Sequence, residues 1–345
     1  MQLIKTPTKG MNDYLPRETR LREYVKGVII RAYEKNGFSM IETPAVEHIE
    51  NLTGKNGGDN EKLIFKIMKR GEKLNEAAGN DAELCDSGLR YDLTVPLSRY
   101  YANNQAKLPS PFMAMQIGNV WRADRPQKGR FRQFTQCDID ILGDSTQLAE
   151  ITLISATTGV LRELGFDNFT VRINDRRLLK VCADYCGFKP EDCDKVFITL
   201  DKMDKIGLDG VKRELVEEGF DEASVEKYVA LYENCDAVSV SEFAADRLGG
   251  NGADIAASLE SIMRCATAAT AGGCSLKFDP TLVRGMSYYT GTIFEISMDG
   301  YGYSVGGGGR YDEMLAKFSG QKTPACGFSL GFERIVAALA DRGFE

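Results

Sequence analysis

Five cations fall within eleven residues: Arg122, Arg125, Lys128, Arg130 and Arg132, in the segment WRADRPQKGRFRQFTQCDIDILG that runs from Trp121 to Gly143. Directly after them the chain alternates. Gln136, Asp138 and Asp140 fall on one face of a strand, and Cys137, Ile139 and Ile141 on the other. Arginine's planar fork bonds phosphate oxygens two at a time, so the cations suit an anion of several charges, such as a triphosphate. Carboxylates on the strand face that follows suit something cationic. Phe134, two residues before Gln136, offers a flat surface to a purine. An amino acid meeting ATP has both characters. Taken alone, the cations fit a solvated charged hairpin equally well; the polar strand face behind them favours a ligand.

Three further segments carry candidate chemistry. LVRGMSYYTGTIFE, Leu282–Glu295, sets Arg284 beside Tyr288 and Tyr289, and its spacing fits ligand binding or core packing with an exposed cation. The run Gly306–Gly309, before Arg310 and Tyr311, matches neither GxGxxG nor GxxxxGK[ST]. It reads as close approach of backbone to a ligand or as a tight strand-to-helix turn. GFSLGFERI puts Glu333 and Arg334 near a helix start, where the dipole favours the carboxylate and opposes the cation. An anion is therefore expected to hold Arg334.

The rest of the composition excludes several chemistries. The single histidine, His48, leaves no Ser-His-Asp or Cys-His arrangement. The nine cysteines include no CxxC pair, which points to reduced thiols rather than zinc ligands. No apolar run approaches the roughly 18 residues of a membrane span, and the N-terminus has no apolar signal segment, so a cytoplasmic protein is expected. A net charge of −7 disfavours general adhesion to nucleic acid but leaves room for a local basic groove.

The elements that must position these residues follow from periodicity. A helix is predicted over 17–36, with Leu21, Tyr24, Val25, Val28, Ile29, Ala32 and Tyr33 on one side, then a strand over 38–43 closed by Pro44. LRYDLTVPLSRYY starts as a strand with Asp92 and Thr94 on one face, and Thr94 is placed to cap a helix that Pro96 can open. After a helix over 146–164 and a strand over 169–173, residues 177–257 turn helical, charged and strand-poor, as an inserted domain would. Strands return over 276–278, 292–298, 302–305 and 325–330, with a last helix over 332–340. Strands that return through hairpins rather than regular βαβ units predict an antiparallel α+β core.

Together these segments resemble the class II aminoacyl-tRNA synthetases, and specifically the histidyl-tRNA synthetase family. Arg17–Pro44 resembles motif 1, the dimer-interface helix and strand (about 17–44); Trp121–Gly143 resembles motif 2 (about 117–143); GFSLGFERI resembles motif 3 (about 325–340). LRYDLTVPLSRYY, LVRGMSYYTG and GGGRYDEM resemble the histidine-specific signatures. The resemblance covers most of the chain and is weakest in the helical insertion. It implies a six-stranded antiparallel sheet flanked by helices, a catalytic core from 1–177 and 258–345, and an insertion domain at 178–257. It implies ATP-dependent activation of histidine, transfer to the 3′ end of tRNA(His), Mg²⁺ accompanying ATP, and a homodimer. Arg122 would hold the α-phosphate and the substrate carboxylate, Arg334 the γ-phosphate and Phe134 the adenine, with Arg130 assisting at the nucleotide. Asp92, Thr94 and Gln136 would hold the α-ammonium. Asp140 and Tyr289 would read the imidazole, and Tyr311 would close the pocket. Arg284 would stabilise the α-phosphate during attack.

Two positions depart from the family's pattern. Ser287 stands where aspartate is usual, which puts the support of Arg284 in doubt. Thr135 replaces a common histidine or tyrosine, with little consequence expected because it falls on the apolar strand face. The chain also stops directly after motif 3, so the family's C-terminal anticodon-binding domain is expected to be absent, with tRNA binding weakened. Two alternatives share these motifs: a histidine-binding regulatory subunit of ATP phosphoribosyltransferase, and an adenylate-forming amino-acid ligase that uses no tRNA. The ATP-directed set Arg122, Arg130, Phe134, Arg284 and Arg334 favours the synthetase, since a pure regulator does not need it.

Overall fold

The computed structural model describes residues 3–53, 59–80, 83–126, 130–235, 238–284 and 288–343. Lys128 and Gly129 of the charged hairpin, and Ser287, lie outside the described residues. The chain divides into two units. One holds the residues up to Ile139, Phe318–Gly320 and those from Ser329 on; the other holds Asp140–Lys317 and Gln321–Phe328.

In the first unit the N-terminal helix covers Pro16–Lys35. Proline opens it where an N–H would have no partner, and the Glu18 carboxylate accepts the Leu15 N–H at 2.8 Å. Val25, Val28, Ile29, Ala32 and Tyr33 recur at helical spacing and are buried. Tyr24, expected on the same face, is 43% exposed. Strand β1 (Ser39–Met40) is shorter than the sequence suggests. A small antiparallel sheet follows, made of β2 (Val46–His48), β3 (Lys66–Met68) and β4 (Cys85–Leu89) in the order β2-β4-β3. The strand expected to carry Asp92 thus ends at Leu89, and a helix begins at Thr94 and runs to Asn104. Then come β5 (Phe112–Trp121) and β6 (Gln133–Leu142), the two arms of the charged hairpin. The last helix, Phe332–Asp341, completes the unit.

The second unit contains β7 (Phe169–Asp175), β8 (Ser275–Phe278), β9 (Thr292–Met298), β10 (Ser304–Arg310) and β11 (Ala325–Leu330) as far as Phe328. β9 is antiparallel to both β7 and β10, and β8 is parallel to β7. The hydrogen-bonded order of the large sheet is β1-β5-β6-β11-β10-β9-β7-β8. The six strands expected from the sequence are its centre, and a short strand adds in parallel at each edge, β1 on β5 and β8 on β7. The expected α+β sheet flanked by helices is therefore present. Of the two readings of the glycine run, the strand-to-helix turn is not the one that forms: Gly306–Gly309 lie inside β10, buried.

Between β7 and β8 the described residues form a succession of helices, the first Arg176–Cys186 and the last Ala253–Ala269. Aromatic side chains give this stretch a core of its own. Phe188 meets Tyr228 edge-on at 5.3 Å, and Tyr228 meets Tyr232 at 5.1 Å. A domain bounded at 178–257 stays a proposal, because the helix Ala253–Ala269 runs through its expected end. Among the described residues no helix is long and apolar enough to cross a membrane.

Candidate active site

In the first unit, Arg122 ends the first arm of the hairpin, and its backbone N–H bonds the Arg132 carbonyl at 2.8 Å. Its side chain is aimed from both sides. Nε donates to the Tyr91 carbonyl at 2.9 Å, and the guanidinium lies 5.1 Å from the centre of the Phe134 ring. The arginine and aromatic singled out in the sequence are therefore in contact. The other hairpin cations divide. Arg132 is a structural residue, its Nε bonded to the Asp124 carbonyl at 3.0 Å. Arg125 and Arg130 are exposed, with Arg130 3.9 Å from the Asp124 carboxylate.

Asp92 lies in the same unit and is 2% exposed. Oδ1 accepts the Val95 N–H at 3.0 Å, so Asp92, and not Thr94, caps the helix; Thr94 is its first residue. Oδ2 is buried with no hydrogen-bond partner among the described residues. Burial raises the Asp92 pKa, against the Val95 N–H and the Arg122 guanidinium. Gln136 repeats the pattern. Its Nε2 donates to Ser329 Oγ at 3.3 Å, and its Oε1 is buried with no partner among the described residues. Leaving such acceptors unpaired costs about 1–3 kcal/mol each. An ammonium group, with three N–H donors and a positive charge, supplies what both lack.

Thr135 departs from its expected apolar surroundings. Its hydroxyl bonds Asn119 Oδ1 at 3.1 Å and accepts from Arg22 Nη2 at 3.3 Å. Arg22 in turn grips Glu333 with two bonds, 2.5 and 2.8 Å, and Glu333 accepts the Thr135 N–H at 3.1 Å. Glu333 therefore does more than complement a helix dipole: it ties the N-terminal helix and β6 to the turn that carries Arg334, which is half-buried. Sequence reasoning missed this clamp, because nothing local in Arg22 or Thr135 signals a partner so far away in the chain. Arg90 was missed likewise. It is 8% exposed and bonds the Thr43 and Asn119 carbonyls at 2.6 and 2.9 Å.

In the second unit, Asp140 and Tyr311 meet. The Tyr311 hydroxyl donates to Asp140 Oδ1 at 2.5 Å. Burial and the adjacent carboxylate hold that hydroxyl's pKa well above its usual range, so it stays a donor. Tyr288 lies edge-on to Tyr311 at 5.9 Å and 4.7 Å from Tyr289. Three tyrosines thus accompany one buried carboxylate. Gly327 makes room for it, since a Cβ there would lie 2.0 Å from Asp140 Oδ1. Arg284 Nη1 donates to Glu295 at 2.5 Å. Arg310 is absorbed structurally by Glu150, through two bonds of 2.7 Å.

The chain is similar to several known proteins. The family model for histidyl-tRNA synthetase matches residues 10–335. The chain is 49% identical over 342 residues to the histidine–tRNA ligase of Leifsonia xyli subsp. xyli, covering 96% of this chain and 79% of that protein. It is 36% identical over 374 residues to the histidine–tRNA ligase of Flavobacterium johnsoniae, covering 96% and 77%. The crystal structure of histidyl-tRNA synthetase from Nostoc sp. PCC 7120 superposes with a TM-score of 0.83 at 27% identity, over 100% of this chain and 77% of that one. A Bacillus halodurans chain described as an ATP phosphoribosyltransferase regulatory subunit/histidyl-tRNA synthetase gives a TM-score of 0.79 at 22% identity, over 98% and 84%, and speaks for the fold alone. The matched family spans both units and every residue of the two groups above, and the chain belongs to the histidyl-tRNA synthetase family.

Proposed function

We propose that this chain activates histidine with ATP and passes the histidyl group to the 3′ end of tRNA(His). In the first step a carboxylate oxygen of histidine attacks the α-phosphorus and the bond to pyrophosphate breaks, leaving histidyl-adenylate. The nucleophile is already ionised, so no protein base is required; the work is positioning and charge stabilisation. In the second step a ribose hydroxyl of the tRNA attacks the activated carbonyl and AMP departs.

The observation that carries this reading is the pair of buried, unpartnered acceptors, Asp92 Oδ2 and Gln136 Oε1. They suit the α-ammonium of an amino acid, with Thr94 beside Asp92 at the helix start. Asp140 and Tyr289 are assigned to the imidazole, and Tyr311 orients Asp140 through its 2.5 Å bond. Arg122 is assigned to the α-phosphate and the substrate carboxylate. One face of the Phe134 ring meets Arg122, and the other suits adenine. Arg130 assists at the nucleotide, Arg334 holds the γ-phosphate, and Arg284 takes up charge that develops on the α-phosphate. Mg²⁺ would arrive with ATP, whose phosphates and water provide its ligands; among the described residues no group of three His, Cys, Asp or Glu side chains forms an ion cage.

A homodimer is part of the proposal. Leu15 (69%) and Tyr24 (43%) at the N-terminal helix, Met40 (43%) on β1 and Val46 (46%) on β2 leave apolar side chains of the motif 1 region exposed. The nine cysteines are all free thiols, which suits a reducing cytoplasm. Histidine-dependent ATP–pyrophosphate exchange on the purified chain tests the activation step. Histidine binding without exchange would favour the regulatory reading.

A further inference from the structure

Three neighbouring strands of the second unit bring charged groups into one row. Arg172 on β7 is registered directly opposite Glu295 on β9, and Glu295 is registered opposite Gly307 on β10. Cross-strand neighbours at such positions are close enough for long side chains to meet. They do: Arg172 Nη1 lies 3.5 Å from Glu295 Oε1. On the other side the place that a Gly307 side chain would fill holds the Arg284 guanidinium. A Cβ on Gly307 would come within 2.7 Å of Arg284 Cζ. From there Arg284 Nη1 reaches Glu295 Oε2 at 2.5 Å. The row therefore reads Arg172, Glu295, Arg284, with the carboxylate shared between the two cations.

The far end of the row is anchored. Arg172 Nε bonds Asp279 at 2.5 Å. Asp279 also accepts the Thr281 N–H at 3.0 Å and the Thr281 hydroxyl at 2.7 Å. Asn174 Nδ2 bonds the carbonyls of Pro280 and Leu282, each at 3.1 Å, so the backbone is held two residues before Arg284. The side chains of Arg172 and Glu295 are 22% and 18% exposed, partly screened from water. The exposed Asp204 lies 3.8 Å from Arg172 at the outer edge.

We propose that Glu295, seated by Arg172, is a positioning residue that sets the Arg284 guanidinium for the charge developing on the α-phosphate. This rests on the function proposed above. Among the described residues Arg284 donates to Glu295 through Nη1, which leaves its remaining N–H groups for phosphate oxygens. Because Glu295 is divided between two guanidiniums, it orients Arg284 without fully cancelling its charge. Removing the carboxylate frees a long, flexible side chain, and a misplacement of about 1 Å typically costs about 100-fold in rate.

The test is histidine-dependent ATP–pyrophosphate exchange by the full chain, Glu295→Gln, Arg284→Ala and the double variant. Glu295→Gln keeps the side chain's size and removes its charge. It should lower kcat by about 100-fold while the histidine KM changes less than about 2-fold. In the Arg284→Ala background the same change should do nothing further, because its effect runs through Arg284. Should Glu295→Gln fail to fold, Arg172→Gln reads the same row and should also lower kcat at unchanged histidine KM. An unchanged kcat, or an equal loss in the Arg284→Ala background, overturns the proposal. Absence of exchange in the wild type overturns the functional reading itself, and this proposal with it.

Discussion

Asp92→Asn should make the free protein more stable and a worse enzyme. Asp92 is 2% exposed; one carboxylate oxygen accepts the Val95 N–H and the other has no partner. The amide keeps the first bond and removes a buried charge. The gain is the relief of a desolvated buried charge, about 1.4 kcal/mol for each pKa unit by which burial raises the carboxyl, less the cost of the amide's own unpartnered N–H groups, against a typical total stability of about 5–15 kcal/mol. The sign with pH follows from the raised pKa of Asp92. A carboxyl raised in the folded state contributes stability that is fully present below its unfolded pKa, and that contribution is lost as pH rises through the folded value. The variant's advantage should thus be largest at neutral pH and shrink on acidification. The substrate side runs the other way. A lost bond to a charged group costs about 1.5–3 kcal/mol, which raises the histidine KM about 10- to 150-fold. Urea unfolding with and without histidine reads both effects. Histidine at 100 times its Kd should stabilise the wild type by about 2.7 kcal/mol and the variant far less. A variant that is less stable without ligand at neutral pH, or that keeps the wild-type KM, refutes the reasoning.

Asp140→Asn preserves an acceptor for Tyr311 but removes the charge assigned to the imidazole; steady-state exchange should show the histidine KM raised about 10-fold or more and the ATP KM unchanged. Arg22→Ala strands the Glu333 carboxylate, whose side chain is 9% exposed, and should cost about 3–5 kcal/mol in chemical denaturation. Arg22→Met with Glu333→Leu should recover much of that loss, since two apolar groups replace the pair. Sedimentation should show a homodimer that Tyr24→Glu with Met40→Glu dissociates; a wild-type monomer at micromolar concentration contradicts the motif 1 reading.

Periodicity made the skeleton of the fold legible. The helix at 16–35 and the alternation along β6 are local signals, and local signals survive tertiary packing when one face is buried. The glycine run does not form the turn that its composition suggests, because glycine speaks for backbone freedom without saying why it is needed. In β10 the need is space, for Arg284 over Gly307 and for the Gly327 carbonyl, 2.0 Å from where a Gly308 Cβ would stand. The place of Thr94 before Pro96 suggests a cap at Thr94, but a proline two residues on does not decide which side chain reaches the free N–H; Asp92 does. The clamps Arg22–Glu333 and Arg172–Glu295–Arg284 join residues up to 311 positions apart, and a single sequence carries no trace of such pairings. Where the residues could be assigned roles at all, the family motifs supplied what spacing did not.

The central claim is that the chain makes histidyl-adenylate. Exchange of labelled pyrophosphate into ATP, measured on the purified chain with each amino acid in turn, tests it directly. The account predicts exchange that depends on histidine, and its collapse by about 100-fold or more in Arg284→Ala. A chain that binds histidine yet shows no exchange at any ATP concentration contradicts it.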